Sequence, residues 1–236
     1  MTLTKKVLVT GATRGIGRAI SQKLLDEGLE VIGVGRNHQD GIEHERYTAE
    51  TLDLSDLKSL EKSLPELAKR YQDVDAVISN AGRGIFGGLD QFSATQIREA
   101  MELNLVSHMV LVRAFLPRLR QRQHADIILM GSEAALRGGK QGSLYCAAKF
   151  GLRGFAQALR EECVSSGVRV GMIHPGMVRT EFFEELHFEP GAGDDQAILP
   201  EDVAEALWTM LSMRRGTVVD ELTLSPQKKV IQFKKS

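Results

Sequence analysis

Along the chain, short apolar runs alternate with longer stretches in which apolar positions recur at helical spacing. Val7–Thr10, Glu30–Val34, Ala76–Ser79, Asp126–Met130 and Val168–Ile173 predict strands, with a weaker one at Thr48–Leu52 and a last one at Val218–Leu224. Most are almost continuously apolar, as expected for parallel strands covered on both faces. Between them, Ile16, Ala19, Ile20 and Leu24 fall on one helical face, which Gly28 ends. Ser93 and Gln96 fit a capping box ahead of a long helix reaching Arg120; a second long helix is predicted over 143–165, and a shorter one starts at Pro200. Strand–helix repetition with right-handed crossovers implies an α/β fold: a doubly wound parallel sheet with helices on both faces. No internal repeat or linker divides the 236 residues, so one domain over 1–236 is expected. The longest irregular stretch, Pro175–Leu199, has a length at which loops are usually functional or mobile.

Composition narrows the function classes. Apolar residues make up 42% and charged residues 26%, the balance of a globular protein. A formal net charge of −1 provides no global field toward nucleic acid or anionic membrane, and neither partner is expected. Two cysteines, Cys146 and Cys163, suggest no disulfide framework and fit a reducing compartment. With neither a signal-peptide pattern nor an apolar stretch near the ~20 residues that span a bilayer, a cytoplasmic location is expected. No metal site is expected.

The first predicted strand runs into Thr10-Gly11-Ala12-Thr13-Arg14-Gly15-Ile16-Gly17. A glycine-rich turn between strand and helix lets backbone N–H groups approach a pyrophosphate, and the helix N-terminus adds partial positive charge. Glycines alone also serve tight turns, but a strand before and an amphipathic helix after favour nucleotide binding. The spacing G-x-x-x-G-x-G departs from the G-x-G-x-x-G fingerprint. It resembles the TGxxxGxG signature of the short-chain dehydrogenase/reductase family, whose fold is a single Rossmann-like domain.

The resemblance continues along nearly the whole chain. Asp53-Leu54 matches the family's adenine-binding aspartate segment, the alternative being a helix N-terminal acid. Asn80-Ala81-Gly82 matches the NAG motif beside the cofactor. Asn104, a poor helix former in Glu102-Leu103-Asn104-Leu105, corresponds to the helix asparagine that holds a water in a proton relay; its bland reading is a capped or solvated residue. Tyr145 and Lys149 form the family's YxxxK, on one helical face, and Ser132 stands upstream at the end of the fifth strand. Pro175-Gly176-Met177-Val178-Arg179-Thr180 resembles the PGxxxT segment at the nicotinamide, although Pro-Gly is also a plain turn signal.

These residue types suit hydride chemistry. A carbonyl accepting hydride develops alkoxide charge and needs a donor and a proton. A free tyrosine has a pKa of ~10, and a nearby ammonium is expected to lower it. The resemblance gives Tyr145 the proton transfer, Ser132 the substrate oxygen and Lys149 the nicotinamide ribose. At the end of the second strand, position 35 is glycine, where an acid would favour NAD, and Arg36 follows it. With Arg14 in the glycine turn, two guanidiniums stand where a ribose 2′-phosphate would lie, so NADP(H) is the expected cofactor.

Other features depart from the family pattern or lie outside its motifs. Gly131 precedes Ser132 where many relatives carry a second serine, and Glu133 follows it. Cys146 reads as a small packed residue. Residues 180–199 correspond to the family's substrate lid; Phe182 and Phe183 are candidate substrate contacts, and Gly191 and Gly193 would permit motion. His187 reads as a polar surface residue or a substrate contact. The Asn-Gly-Gly turn typical of ketoacyl reductase C-termini is absent, and Lys228, Lys229, Lys234 and Lys235 read as a solvated basic tail. The expected activity is NADPH-dependent hydride transfer to or from a small ketone, keto ester or hydroxy acid, by a homodimer or homotetramer formed through the two long helices. The competing reading is a non-catalytic NADP(H)-binding sensor or scaffold on the same fold.

Overall fold

The computed structural model describes residues 4–39, 41–122 and 124–234; Lys235 of the basic tail lies outside them. In chain order the elements are β1 (Lys6–Thr10), α1 (Gly15–Asp26), β2 (Glu30–Gly35), β3 (Tyr47–Thr51), α2 (Leu57–Arg70), β4 (Ala76–Ser79), α3 (Ala94–Met101), α4 (Ser107–Leu119), β5 (Ala125–Met130), α5 (Ser143–Cys163), β6 (Val168–Pro175), β7 (Phe188–Pro190), α6 (Pro200–Ser212), β8 (Glu221–Leu224) and β9 (Ile231–Phe233). Seven strands form a parallel sheet in the order β3-β2-β1-β4-β5-β6-β8. The strand order reverses direction between β1 and β4, which opens a crevice at their carboxyl ends.

Alternation along the strands splits the core into two layers. Val7 and Val9 of β1 and Val31 of β2 pack with Ile20 and Leu24 of α1 and Val203 and Leu207 of α6. Leu8, Ile32 and Val34 point the other way, onto Leu60 and Leu64 of α2, Phe115 of α4 and Leu152 of α5. Each such buried side chain contributes roughly 1.5–3 kcal/mol, so the sheet is fixed in register from both faces.

Three elements differ from the sequence pattern. The helix expected from 93 to 120 does begin at a Ser93–Gln96 capping box, but Glu102–Val106 between α3 and α4 forms a π-turn. The last sheet strand starts at Glu221, not Val218. The C-terminus is docked: β9 pairs antiparallel with β7. Lys234 Nζ donates to the carbonyls of Phe183 (2.5 Å) and Glu184 (3.1 Å), and Lys228 pairs with Asp195 at 2.7 Å. The expected solvated tail is thus a strap, because its cations find carbonyl and carboxylate partners on residues 180–199. Among the described residues, no helix is long and apolar enough to cross a membrane.

Candidate active site

The glycine turn after β1 is built for close approach. Gly11 and Gly15 have φ of +66° and +50°, the left-handed region that favours glycine. A Cβ on Gly17 would sit 2.0 Å from the Gly11 carbonyl oxygen and 2.7 Å from Asn80 Nδ2. The first turn of α1 has no side-chain cap and no acid, leaving its N–H groups to an external anion. Uncapped amides and glycines at positions 11, 15 and 17 together fit a dinucleotide pyrophosphate. Thr13 and Ile16 flank this turn half-buried, and Arg14 is exposed.

Thr10, the last residue of β1, joins this turn to the segment after β4. Its hydroxyl accepts from the N–H groups of Asn80 (2.9 Å) and Ala81 (3.1 Å), and Asn80 Nδ2 donates to the Thr10 carbonyl at 2.9 Å. Asn80 and Ala81 therefore act as a brace across the crevice floor. Gly82 lies against the π-turn and α5: a Cβ there would fall 3.0 Å from Asn104 Oδ1 and 3.9 Å from Lys149 Nζ. Asn104 is fully buried inside the π-turn, donating to the Ala100 carbonyl (3.2 Å) and accepting from Arg83 N–H (3.0 Å). It is neither a capped nor a solvated residue, and a π-turn at such a position is a frequent mark of function.

Tyr145 and Lys149 share the buried face of α5, with Nζ 5.8 Å from the phenol ring centroid. Lys149 Nζ donates to the Met130 carbonyl at 2.9 Å, anchoring it to the end of β5. Ser132 follows β5 directly; its hydroxyl accepts from Ala134 N–H at 3.1 Å, and the side chain is near enough to Tyr145 to favour its ionised form. Burial pushes the Tyr145 phenol well above its ordinary value, and Ser132 offsets only part of that. Desolvation also pushes Lys149 down to about 8. The expectation is that Lys149 depresses Tyr145; in this site burial instead sets the direction of the phenol's shift.

Val178 is buried and Pro175 ends β6, with Gly176 N–H donating to the Leu224 carbonyl at 2.8 Å. Thr180 reaches back to the glycine turn: a Cβ on Gly15 would fall 3.2 Å from Thr180 Cγ2. Arg36 is exposed just past β2, and Leu54 is buried. Asp53 is exposed, and its carboxylate accepts from Ser55 N–H (2.9 Å) and Ser55 Oγ (2.7 Å). Burial would raise its pKa, but the Ser55 bonds and the Arg36 charge lower it. Asp53 does not cap a helix; Asp56 caps α2 instead. Arg14 forms an exposed ion pair with Glu184 at 4.0 Å.

Phe86 was missed from sequence and touches Tyr145, with centroids 5.2 Å apart. Its signal was an isolated aromatic among Gly84, Gly87 and Gly88, downstream of Asn80-Ala81-Gly82. Phe182 also packs on Tyr145, at 5.9 Å, and Phe183 on Phe182, at 5.1 Å. His187 is exposed, as its surface reading expects, and stacks on Phe233 of the docked strap at 6.0 Å. Gly191 and Gly193 sit where Arg179 grips the carbonyls of 191–193 at 3.0–3.1 Å. Cys146 is buried as a packed residue.

The short chain dehydrogenase family profile matches residues 5–190, and the chain belongs to that family. It is 29% identical over 241 residues to an NADP-dependent 3-hydroxy acid dehydrogenase of Schizosaccharomyces pombe, covering 94% of this chain and 92% of that one. It is 32% identical over 194 residues to a 3-oxoacyl-(acyl-carrier-protein) reductase of Haemophilus influenzae, covering 80% of each. Among solved structures, an alcohol dehydrogenase of Thermococcus sibiricus complexed with 5-hydroxy-NADP superimposes with a TM-score of 0.82 at 27% identity, covering 96% of this chain and 98% of that one.

Proposed function

We propose that this protein is an NADP(H)-dependent oxidoreductase that interconverts a carbonyl compound and its alcohol, acting on a small ketone, keto ester or hydroxy acid. The reading is supported above all by buried Tyr145, Lys149 and Asn104 grouped with half-buried Ser132 at the carboxyl ends of the strands. A pure cofactor sensor has no need to bury a lysine and a tyrosine side by side, since burying a charge costs several kcal/mol.

The cofactor supplies and accepts the hydride. In reduction, Tyr145 gives its phenolic proton to the oxygen as the carbonyl carbon becomes tetrahedral. The phenol is protonated at neutral pH, as a proton donor must be. Ser132 hydrogen-bonds the same oxygen and lowers the cost of charge developing there. Lys149, pushed to about 8, readily exchanges its proton and stands where the nicotinamide ribose would bind. Asn104 holds the water that feeds this relay.

Gly11, Thr13, Gly15, Ile16 and Gly17 take the pyrophosphate side. Arg14 and Arg36 take the 2′-phosphate, Asp53 and Leu54 the adenine, and Pro175, Gly176, Val178 and Thr180 the nicotinamide. Residues 180–199 serve as a lid, with Phe182 and Phe183 toward the substrate. Self-association through α4 and α5 gives a homodimer or homotetramer; Phe150 of α5, 44% exposed, supports that surface. The test is NADPH deuterated at the transferring carbon: deuterium on the product's carbinol carbon is expected, and NADPH binding without transfer to any carbonyl would favour a sensor.

A further inference from the structure

Tyr145 stands between aromatic side chains from two separate parts of the chain. Phe86, from the loop after β4, packs on its ring at 5.2 Å, and Phe182, after β6, at 5.9 Å. Phe188 of β7 joins the two sides, edge-on to Phe86 at 5.1 Å and 5.8 Å from Phe183. The fit depends on glycine: a Cβ on Gly84 would fall 2.8 Å from Phe182 Cζ.

Four cations around this group have intramolecular partners. Arg14 faces Glu184 and Lys229 faces Glu133 at 2.5 Å, while Arg179 and Lys234 are spent on backbone carbonyls.

Building on the carbonyl-reductase reading, we propose that Phe86, Phe182 and Phe188 form a slot for an uncharged aryl group on the substrate, and that Phe86 sets the preference for it. A flat ring entering beside Tyr145 replaces one ring–ring contact with another, in the tilted and edge-on geometries such rings favour. A carboxylate packed among these rings would lose its water against apolar ring surface, and Phe86, Phe182 and Phe188 offer it no hydrogen-bond donor in return.

The test compares an aryl methyl ketone with a 3-oxo acid of similar size, both with NADPH. For wild type, kcat/KM should favour the aryl ketone by at least ~10-fold, within the range that pocket contacts supply. Phe86→Ala should lower kcat/KM for the ketone by roughly 10-fold, chiefly through KM, while changing the acid by less than about 2-fold. Phe86→Leu should recover part of the ketone's loss and carries the test if the alanine variant does not fold. A preference for the acid, or an equal loss on both substrates, overturns the slot while leaving a carbonyl reductase. Turnover of neither, with NADPH bound, overturns the underlying reading and the slot with it.

Discussion

Gly131 and His174 compete for one space: a Cβ on Gly131 would lie 2.5 Å from Nδ1 of His174, which is fully buried on β6 beside Ser132. A serine side chain at this position would force the imidazole out of place. Gly131→Ser should destabilise the protein by about 1–3 kcal/mol, the usual cost of overpacking. His174→Ala in the same chain should relieve most of that clash, giving a favourable coupling in a double-mutant cycle. Urea unfolding measures both, and a Gly131→Ser variant as stable as wild type would show that the ring has room to yield.

Asp126, near the amino end of β5, is 1% exposed and bridges Arg169 (2.6 Å) and Arg215 (2.9 Å). Removing the carboxylate leaves a buried guanidinium without its partner, so Asp126→Ala should cost about 3–5 kcal/mol. Serine 132 lies at the opposite end of the strand, so NADPH affinity of the folded fraction should be unchanged. A stability loss below about 1 kcal/mol, the scale of exposed pairs, would contradict this.

Lys149 makes stability depend on alkaline pH. Its pKa falls from 10.5 in the unfolded chain to about 8 in the fold. Between those values the unfolded chain binds more protons, so this residue's contribution to stability rises with pH; below about 8 the full burial penalty remains. Relative to Lys149→Met, wild type should therefore gain about 3 kcal/mol from pH 8 to pH 10.5. Chemical denaturation of both proteins across that window tests it; a pH-independent difference would mean Lys149 is not desolvated.

Arg36 is exposed and acts on Asp53 electrostatically, beside the segment proposed to hold the adenine. Exposed ion pairs are worth ~1 kcal/mol or less, so Arg14 and Arg36 acting together should give NADPH at least ~10-fold over NADH in kcat/KM. Arg36→Asp should reverse the preference, since a carboxylate repels phosphate and accepts from a ribose hydroxyl. Rising salt should shrink the wild-type ratio. A ratio unmoved by Arg36→Asp would place this arginine away from the 2′-phosphate.

Much of this architecture was legible in sequence because its signals are local. Apolar runs such as Ala76–Ser79 and Asp126–Met130 give buried strands directly, and Gly11, Gly15 and Gly17 mark a turn whose spacing is itself informative. Pairing across sequence distance was not legible. The docking of β9 depends on Lys234 meeting carbonyls 50 and 51 residues earlier, and nothing near Ile231–Phe233 signals a partner. The π-turn around Asn104 interrupts a continuous helical pattern, since its cause is the side chain's bonds to Ala100 and Arg83. Burial likewise decides the Tyr145 pKa, and sequence displays only its charged neighbour.

The central claim is that Tyr145 delivers the proton during hydride transfer. Tyr145→Phe keeps the ring and its contacts with Phe86 and Phe182 but removes the hydroxyl that meets Ser132. With a confirmed substrate, the variant should bind NADPH as wild type does while kcat falls by at least ~10²-fold, the lower range for acid–base catalysis. Turnover near the wild-type rate would contradict the account, because the proton would then come from another group.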